Sequence, residues 1–296
     1  MDTWWVSHAM APAPIQISST TIRVYLGCWD EKKISRIGYV DVSAKNPLDI
    51  LSISNKPILD LGEEGAFDEN GVFPGHINII DGQYFLFYTG FQLGHKVPHY
   101  NFGGLAISAD GDEFKRVSRA PILDRSDEGL SVRAGQSILY ESDFYHSCYS
   151  AGTKWLDVGG KLRPIYDVYY QKTKKPDCYE KRGTKIVSCD QETEHGLGRP
   201  HLYRIDDEYL VCYTRRTLNM QYHLGCAISN DLNHWHRKDE WIGIPHGTNG
   251  SFDDQMVYFP AFSVCAFVKA SRFATSPYFA NSVACTNSQT GQTNST

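Results

Sequence analysis

Three acidic residues occupy matching places before short apolar segments, and their type and spacing suit an acid–base site. Asp68 lies six residues before Pro74, Glu128 six before Ala134, and Glu194 six before Pro200. In a further segment FDDQMV matches FDENGV, which sets Asp253 in the place of Asp68; counting back from Pro260 by six selects Asp254 instead. The first segment of the series has His8 six residues before Pro14. Several carboxylates around a narrow polar cavity suit glycosyl transfer. One stays protonated to donate to the leaving oxygen, and another stays ionised to activate water or attack the anomeric carbon. Crowding of like charges spreads their pKa values and so separates acid from base. Acidic residues before strands also form turns by accepting from backbone N–H groups. The catalytic reading therefore requires that these side chains converge in one pocket.

Other polar and aromatic residues fall near the same places. Arg133 and Arg199 stand directly before Ala134 and Pro200, and Arg216 ends a strand in YTRRT. Arginine there can hold a substrate hydroxyl, a carboxylate or a phosphate, or simply pair with the acidic series. Trp155 and Tyr222 follow second strands, on loops where aromatic rings stack on sugar faces or pack. Asp30, in GCWDEKK, is a further rim candidate.

The elements that must position these residues repeat. Aromatic strands reach Gly27, Tyr88, Tyr149 and Tyr213 at steps of 61, 61 and 64 residues. Each is followed by a second strand: RIGYVDVS, FGGLAISAD, PIYDVYYQK and YHLGCAISND. A third set, DEFKR, DCYEK and NHWHR, sets an aromatic at or near a basic residue. Before each aromatic strand comes a short run: HAMAPAPI, GVFPGHINI, RAGQSILY, GRPHLYRI, and again MVYFPAFSV. Period-two alternation and β-branched or aromatic content mark strands. Four strands per unit at a fixed period of about sixty residues predict an all-β, five-bladed β-propeller whose fifth blade is truncated or irregular. The blades are expected near 20–62, 68–124, 128–190, 194–246 and 250 onward, with an N-terminal strand completing a propeller over 1–264. Residues 265–296 read as an atypical tail, and its Ser-, Thr-, Asn- and Gln-rich end as disordered.

Bulk properties bound the function. Net charge is −5 over 296 residues without a basic stripe, which argues against nucleic acid. No apolar run approaches the length of a membrane span, and MDTWWVSHAMAPAPI lacks the pattern of a signal peptide, so a cytoplasmic protein is expected. The eight cysteines form no CxxC pair and match no zinc spacing. No cofactor and no metal are called for by any motif, and the expected partner is a carbohydrate.

The ordered series SRIGYVDV, GAFDENGVFPG, YFLFYTG, GLAISADGDEF, GRP, YTRR and SFDDQMVYFP resembles the bacterial glycoside-hydrolase-like five-bladed propellers. These are related to arabinanases, β-xylosidases, levansucrases and mannoside phosphorylases. The resemblance spans about residues 5–264. It implies a base, a pKa-tuning acid and a proton donor drawn from different blades: Asp68 as base or tuner, Glu194 or Glu128 as donor, and Asp253 as a further member. The chain departs from the pattern in two places. His8 stands where many relatives carry a first-blade aspartate, and the aromatic and glycine-rich strands expected after YFP are absent. The resemblance implies a glycosidase-like enzyme acting on a bacterial glycan. Its alternatives are a glycoside phosphorylase, with Arg133, Arg199 and His8 on phosphate, and a non-catalytic sugar-binding propeller.

Overall fold

A computed structural model describes residues 4–251, 253–254, 256–264 and 282–284. Strand formation follows from alternating apolar segments closed by tight turns. Asp81–Gly82 and Ser142–Asp143 both take positive φ at their two central positions, which matches a hairpin turn to the twist of its strands. Blade one comprises β1 (Ser7–Gln16), β2 (Thr21–Trp29), β3 (Ser35–Ser43) and β4 (Ile50–Ile53). Blade two comprises β5 (Val72–Ile80), β6 (Gln83–Leu93), β7 (His99–Ser108) and β8 (Lys115–Arg116). Blade three comprises β9 (Val132–Glu141), β10 (Phe144–Val158), β11 (Lys161–Thr173) and β12 (Thr184–Val187). Blade four comprises β13 (Glu194–Ile205), β14 (Glu208–Thr217), β15 (Tyr222–Ser229) and β16 (His236–Arg237). Each is an antiparallel meander in chain order.

The protein is thus an all-β propeller. Its fifth blade is represented by β17 (Phe262–Val264) paired with β18 (Ser282–Ala284). The expected tail over 265–296 lies, apart from β18, outside the described residues.

The first strands β1, β5 and β9 pack in succession around the axis, β13 packs on β9, and β17 approaches β1. Short parallel bridges link blade two to blade three at Asn101 and Val132, and blade three to blade four at Tyr166 and Gly196. Tyr25, Tyr88, Tyr149 and Tyr213, one on each second strand, are completely buried. Around them the apolar faces of neighbouring blades close two main clusters, one built on Tyr25, Ile37, Leu86 and Tyr88, the other on Val168, Leu197, Val211 and Tyr213.

All four first strands break register midway: Met10/Ala13, Pro74/His76, the β9 residues opposite Cys148/Ser150, and Gly198/His201. Such bulges bend a strand and re-aim its side chains. Gly135 sits at one of them with φ +71°, and a Cβ there would stand 3.3 Å from the Arg199 Cα. Only glycine combines that conformation with so close an approach of two backbones.

Candidate active site

The three in-register carboxylates are each drawn into a network within their own blade. Asp68 is buried, accepts from the Tyr88 hydroxyl at 3.1 Å, and meets Arg116 Nε at 2.8 Å. Arg116 lies on β8, the outermost strand, so Asp68 is held across the face of blade two. Glu128 accepts from Tyr149 at 2.7 Å, Arg133 Nε at 2.8 Å and the Gly183 N–H at 2.8 Å. Glu194 is fully buried and accepts from Arg215 Nε at 2.6 Å, Arg237 Nη2 at 2.9 Å and the Asp190 N–H at 2.9 Å. Burial alone would raise its pKa, but Arg237, the Asp190 N–H and Arg215 together hold it below the usual carboxylate range.

A cavity of about 340 Å³ borders Asp68; Leu61, Glu63, Arg116 and Arg119 help to line it, and Glu128, Glu194 and Asp253 do not. Convergence of the series in one pocket, which the acid–base reading requires, is not what these contacts show. Buried carboxylates demand compensation, and the sequence supplies it locally in each blade through a tyrosine or arginine at a repeated place.

The remaining acidic candidates close loops. Asp253 Oδ1 accepts from Ser251 Oγ at 2.7 Å, and Asp254 Oδ2 from the Gly250 N–H at 2.8 Å. Asp30 accepts from the Lys32 and Ile34 N–H groups, both at 2.9 Å, and from Arg36 at 2.7 Å. Burial is the largest single effect and pushes the Asp30 carboxyl upward, but the Ile34 N–H, Arg36 and the Lys32 N–H together hold it below its ordinary value.

Arg133 is committed to structure as well, since it also donates to the carbonyls of Asp124 and Glu180. Arg199, in the left-handed region with φ 48°, sends its guanidinium across the axis. Its Nε donates to Pro74 O at 3.2 Å, and its Nη2 to Ala11 O, Pro12 O and Gly75 O at 3.1, 2.5 and 2.8 Å. One side chain of blade four thereby binds the first strands of blades one and two. Burial without a carboxylate lowers its pKa to about 10.

The entry end of the funnel, where the first strands begin, is aromatic and cationic. His8, with φ 62°, stacks on Trp29 with ring centroids 4.0 Å apart. Burial, and then Lys33, lowers its pKa. Trp155 donates to Ser131 Oγ at 3.0 Å and meets His99 edge-on at 5.2 Å; His99 in turn stacks on Phe91. Arg216 lies 4.9 Å from the Tyr222 ring centroid and 6.0 Å from that of Phe259. Of the sequence candidates, Trp155, Arg216 and Tyr222 lie at this mouth, with His8 at its blade-one side. Against expectation Trp155 sits within β10, paired with Pro164, and the buried Tyr222 opens β15, so neither is on a loop.

Four residues at the same end escaped the sequence reading. Arg163, His99 and His195 carry no motif; His99 on β7 meets Trp155 on β10 only through the packing of neighbouring blades, and His195 on β13 is beside Arg216 only through the pairing of β13 with β14. Glu69, next to Asp68, was legible in FDENGV but hidden by its neighbour. It accepts from Gln92 Nε2 at 3.0 Å and the Gly65 N–H at 2.7 Å, which lower its pKa against the weaker push of burial. Among the described residues no cluster of His, Cys, Asp and Glu could hold a metal ion.

No family model matches the sequence. An uncharacterized protein, Rv1502, of Mycobacterium tuberculosis strain H37Rv is 27% identical over 259 residues, covering 87% of this chain and 84% of that protein. Solved structures share the fold at low identity. A thermostable family-43 glycoside hydrolase superposes with a TM-score of 0.65 at 16% identity, covering 87% of this chain and 80% of its own. An endo-arabinase from Bacteroides thetaiotaomicron gives 0.61 at 13% identity, covering 88% of both chains. The chain accordingly has the β-propeller fold of these glycoside hydrolases, as its motif series implied.

Proposed function

We propose that the protein recognises a glycan at the entry end of its central funnel and acts on it as a glycoside-hydrolase-like enzyme. One observation carries this reading: the rings of Tyr166, Tyr222 and Phe259 surround Arg216 at the end of the funnel where the first strands begin, with Trp155 set against His99 nearby. Rings offer flat apolar faces for sugar C–H groups, and guanidinium N–H groups fit hydroxyls or acidic substituents.

Glycosyl transfer further needs a carboxylate that a substrate can reach. Glu128 and Glu194 spend both oxygens on their own blades, and Asp68 spends Oδ2 there while its Oδ1 is buried without a partner. Glu69, held by Gln92 and the Gly65 N–H, stands on the loop before β5 and is only partly buried. Asp254, which falls in the place of Glu69 when FDDQMV is matched to FDENGV and likewise accepts from a glycine N–H four residues back, is its counterpart in blade five. On this reading Glu69 and Asp254 work on the sugar, and the buried three hold the blades that carry them.

Titration of the full chain with a panel of bacterial oligosaccharides, followed by tryptophan fluorescence and product analysis, tests the proposal. A bound and cleaved glycan is expected, with turnover lost in Glu69→Gln at unchanged melting temperature. A panel that neither quenches fluorescence nor yields product would overturn it, and binding without cleavage would leave a lectin-like propeller instead.

A further inference from the structure

The buried or half-buried arginines of this chain fall into two groups. Arg23, Arg36, Arg116, Arg133, Arg215 and Arg237 each meet a carboxylate at 3.2 Å or less. Arg163 and Arg216 make no ion pair among the described residues, and the Nε of each is buried without a hydrogen-bond partner. Arg199 is also without a carboxylate and its Nη1 is likewise buried without a partner, but four backbone carbonyls take its Nε and Nη2 and hold it in the axis.

Arg163 and Arg216 share one neighbourhood. His195, wholly buried, is turned by an interaction of Nδ1 with Pro164 O at 3.1 Å, and its Nε2 is buried without a partner. Burial lowers the pKa of His195 against the raising contact with Pro164 O, and Arg216 and Arg163 lower it further; burial, then Arg216 and Arg163, bring His99 to about 4. Both imidazoles are thus neutral near pH 7, and the positive charge of the site resides on the two guanidiniums. Arg216 is flanked by the rings of Tyr166 and Tyr222, at 5.7 and 4.9 Å, which offset part of its desolvation.

A guanidinium removed from water without a counter-charge costs stability. Here two stand together, in a chain that elsewhere pairs its buried arginines and carries a net charge of −5. Resting on the glycan reading, we propose that Arg163, Arg216 and His195 Nε2 form an oxyanion-binding site at the funnel mouth. It takes an anionic group, either carried by the sugar as an acidic substituent or supplied as free inorganic phosphate. Arginine's planar fork suits both sources, and the adjoining Trp155 and Tyr222 rings would hold the sugar that bears or receives the group.

Calorimetric titration of the full chain with D-glucuronic acid, D-glucose and inorganic phosphate tests this site. D-Glucuronic acid is expected to bind at least about tenfold more tightly than D-glucose if the anion is carried by the sugar, and phosphate to bind by itself if it is free. Either affinity should fall about tenfold or more in Arg216→Gln and in Arg163→Gln, hold more closely in Arg216→Lys, and weaken as salt is raised. Arg182→Gln, which removes an exposed ion pair with Asp127, serves as the control that leaves binding unchanged. Equal binding of glucuronic acid and glucose with no phosphate bound overturns the anion site while the glycan reading stands. Phosphate binding with no response to any oligosaccharide keeps the site and overturns the glycan reading. Anion affinity unchanged in both glutamine variants, or no binding of any of the three probes, also overturns the site; should Arg216→Gln not fold, Arg163→Gln decides.

Discussion

Arg237 holds both oxygens of Glu194, Nη1 to Oε2 at 3.1 Å and Nη2 to Oε1 at 2.9 Å. The arginine comes from the outermost strand of blade four and the glutamate from the innermost, so this fork spans the whole blade. Asp68 and Arg116 make the corresponding contact in blade two. The carboxylate series is, in this geometry, a set of internal blade ties.

The first prediction separates tie from catalyst. Glu194→Gln removes one charge of a buried network and leaves Arg215 and Arg237 with only Asp239 between them. Loss of one partner from a buried pair costs about 3 kcal/mol. Chemical denaturation should show a drop of that order. A variant of unaltered stability that has lost all turnover would instead mark Glu194 as a reacting group.

The same network sets an acid limit. Glu194 has its folded-state pKa depressed by Arg237, the Asp190 N–H and Arg215 against the upward push of burial. A depressed carboxylate contributes stability that is present above its unfolded value and lost as pH falls through the folded one. The melting temperature should therefore decline as pH drops below 4.5, the ordinary glutamate value. In Glu194→Gln this segment of the profile should be flatter, and identical acid profiles for both proteins would contradict the assignment.

Much of the fold was legible because propeller strands declare themselves locally. The buried tyrosines at 25, 88, 149 and 213 recur because each blade needs one large ring at the same depth between sheets. The site was less legible, since register along a strand does not say which way a side chain leaves it. Asp68, Glu128 and Glu194 share a spacing, yet that spacing reports a shared tie to tyrosine or arginine. Arg163 and His195 belong to the mouth through packing of β11 on β13, a long-range contact that no spacing encodes.

Arg199 is read as the pin of the axis. Its guanidinium accepts nothing and donates to four carbonyls on β1 and β5. Arg199→Met would leave these buried oxygens without a partner, at a cost of about 3 kcal/mol or more. Proteolysis and thermal unfolding should both detect the change. A soluble, equally stable methionine variant with altered sugar affinity would return Arg199 to the binding surface.

Gly135 tests the same axis from the backbone side. Its φ of +71° lies in the left-handed region, and an added methyl would meet the Arg199 Cα at 3.3 Å. Alanine in that conformation costs about 1 kcal/mol from φ alone. The contact then forces β9 and β13 apart where Arg199 crosses to β5. Gly135→Ala is thus expected to lose somewhat more than the conformational cost, about 2 kcal/mol in all. Combined with Arg199→Met it should be less than additive, because the two changes disturb one crossing point. A double-mutant cycle by urea denaturation gives the coupling directly, and strict additivity would show that the two strands yield independently.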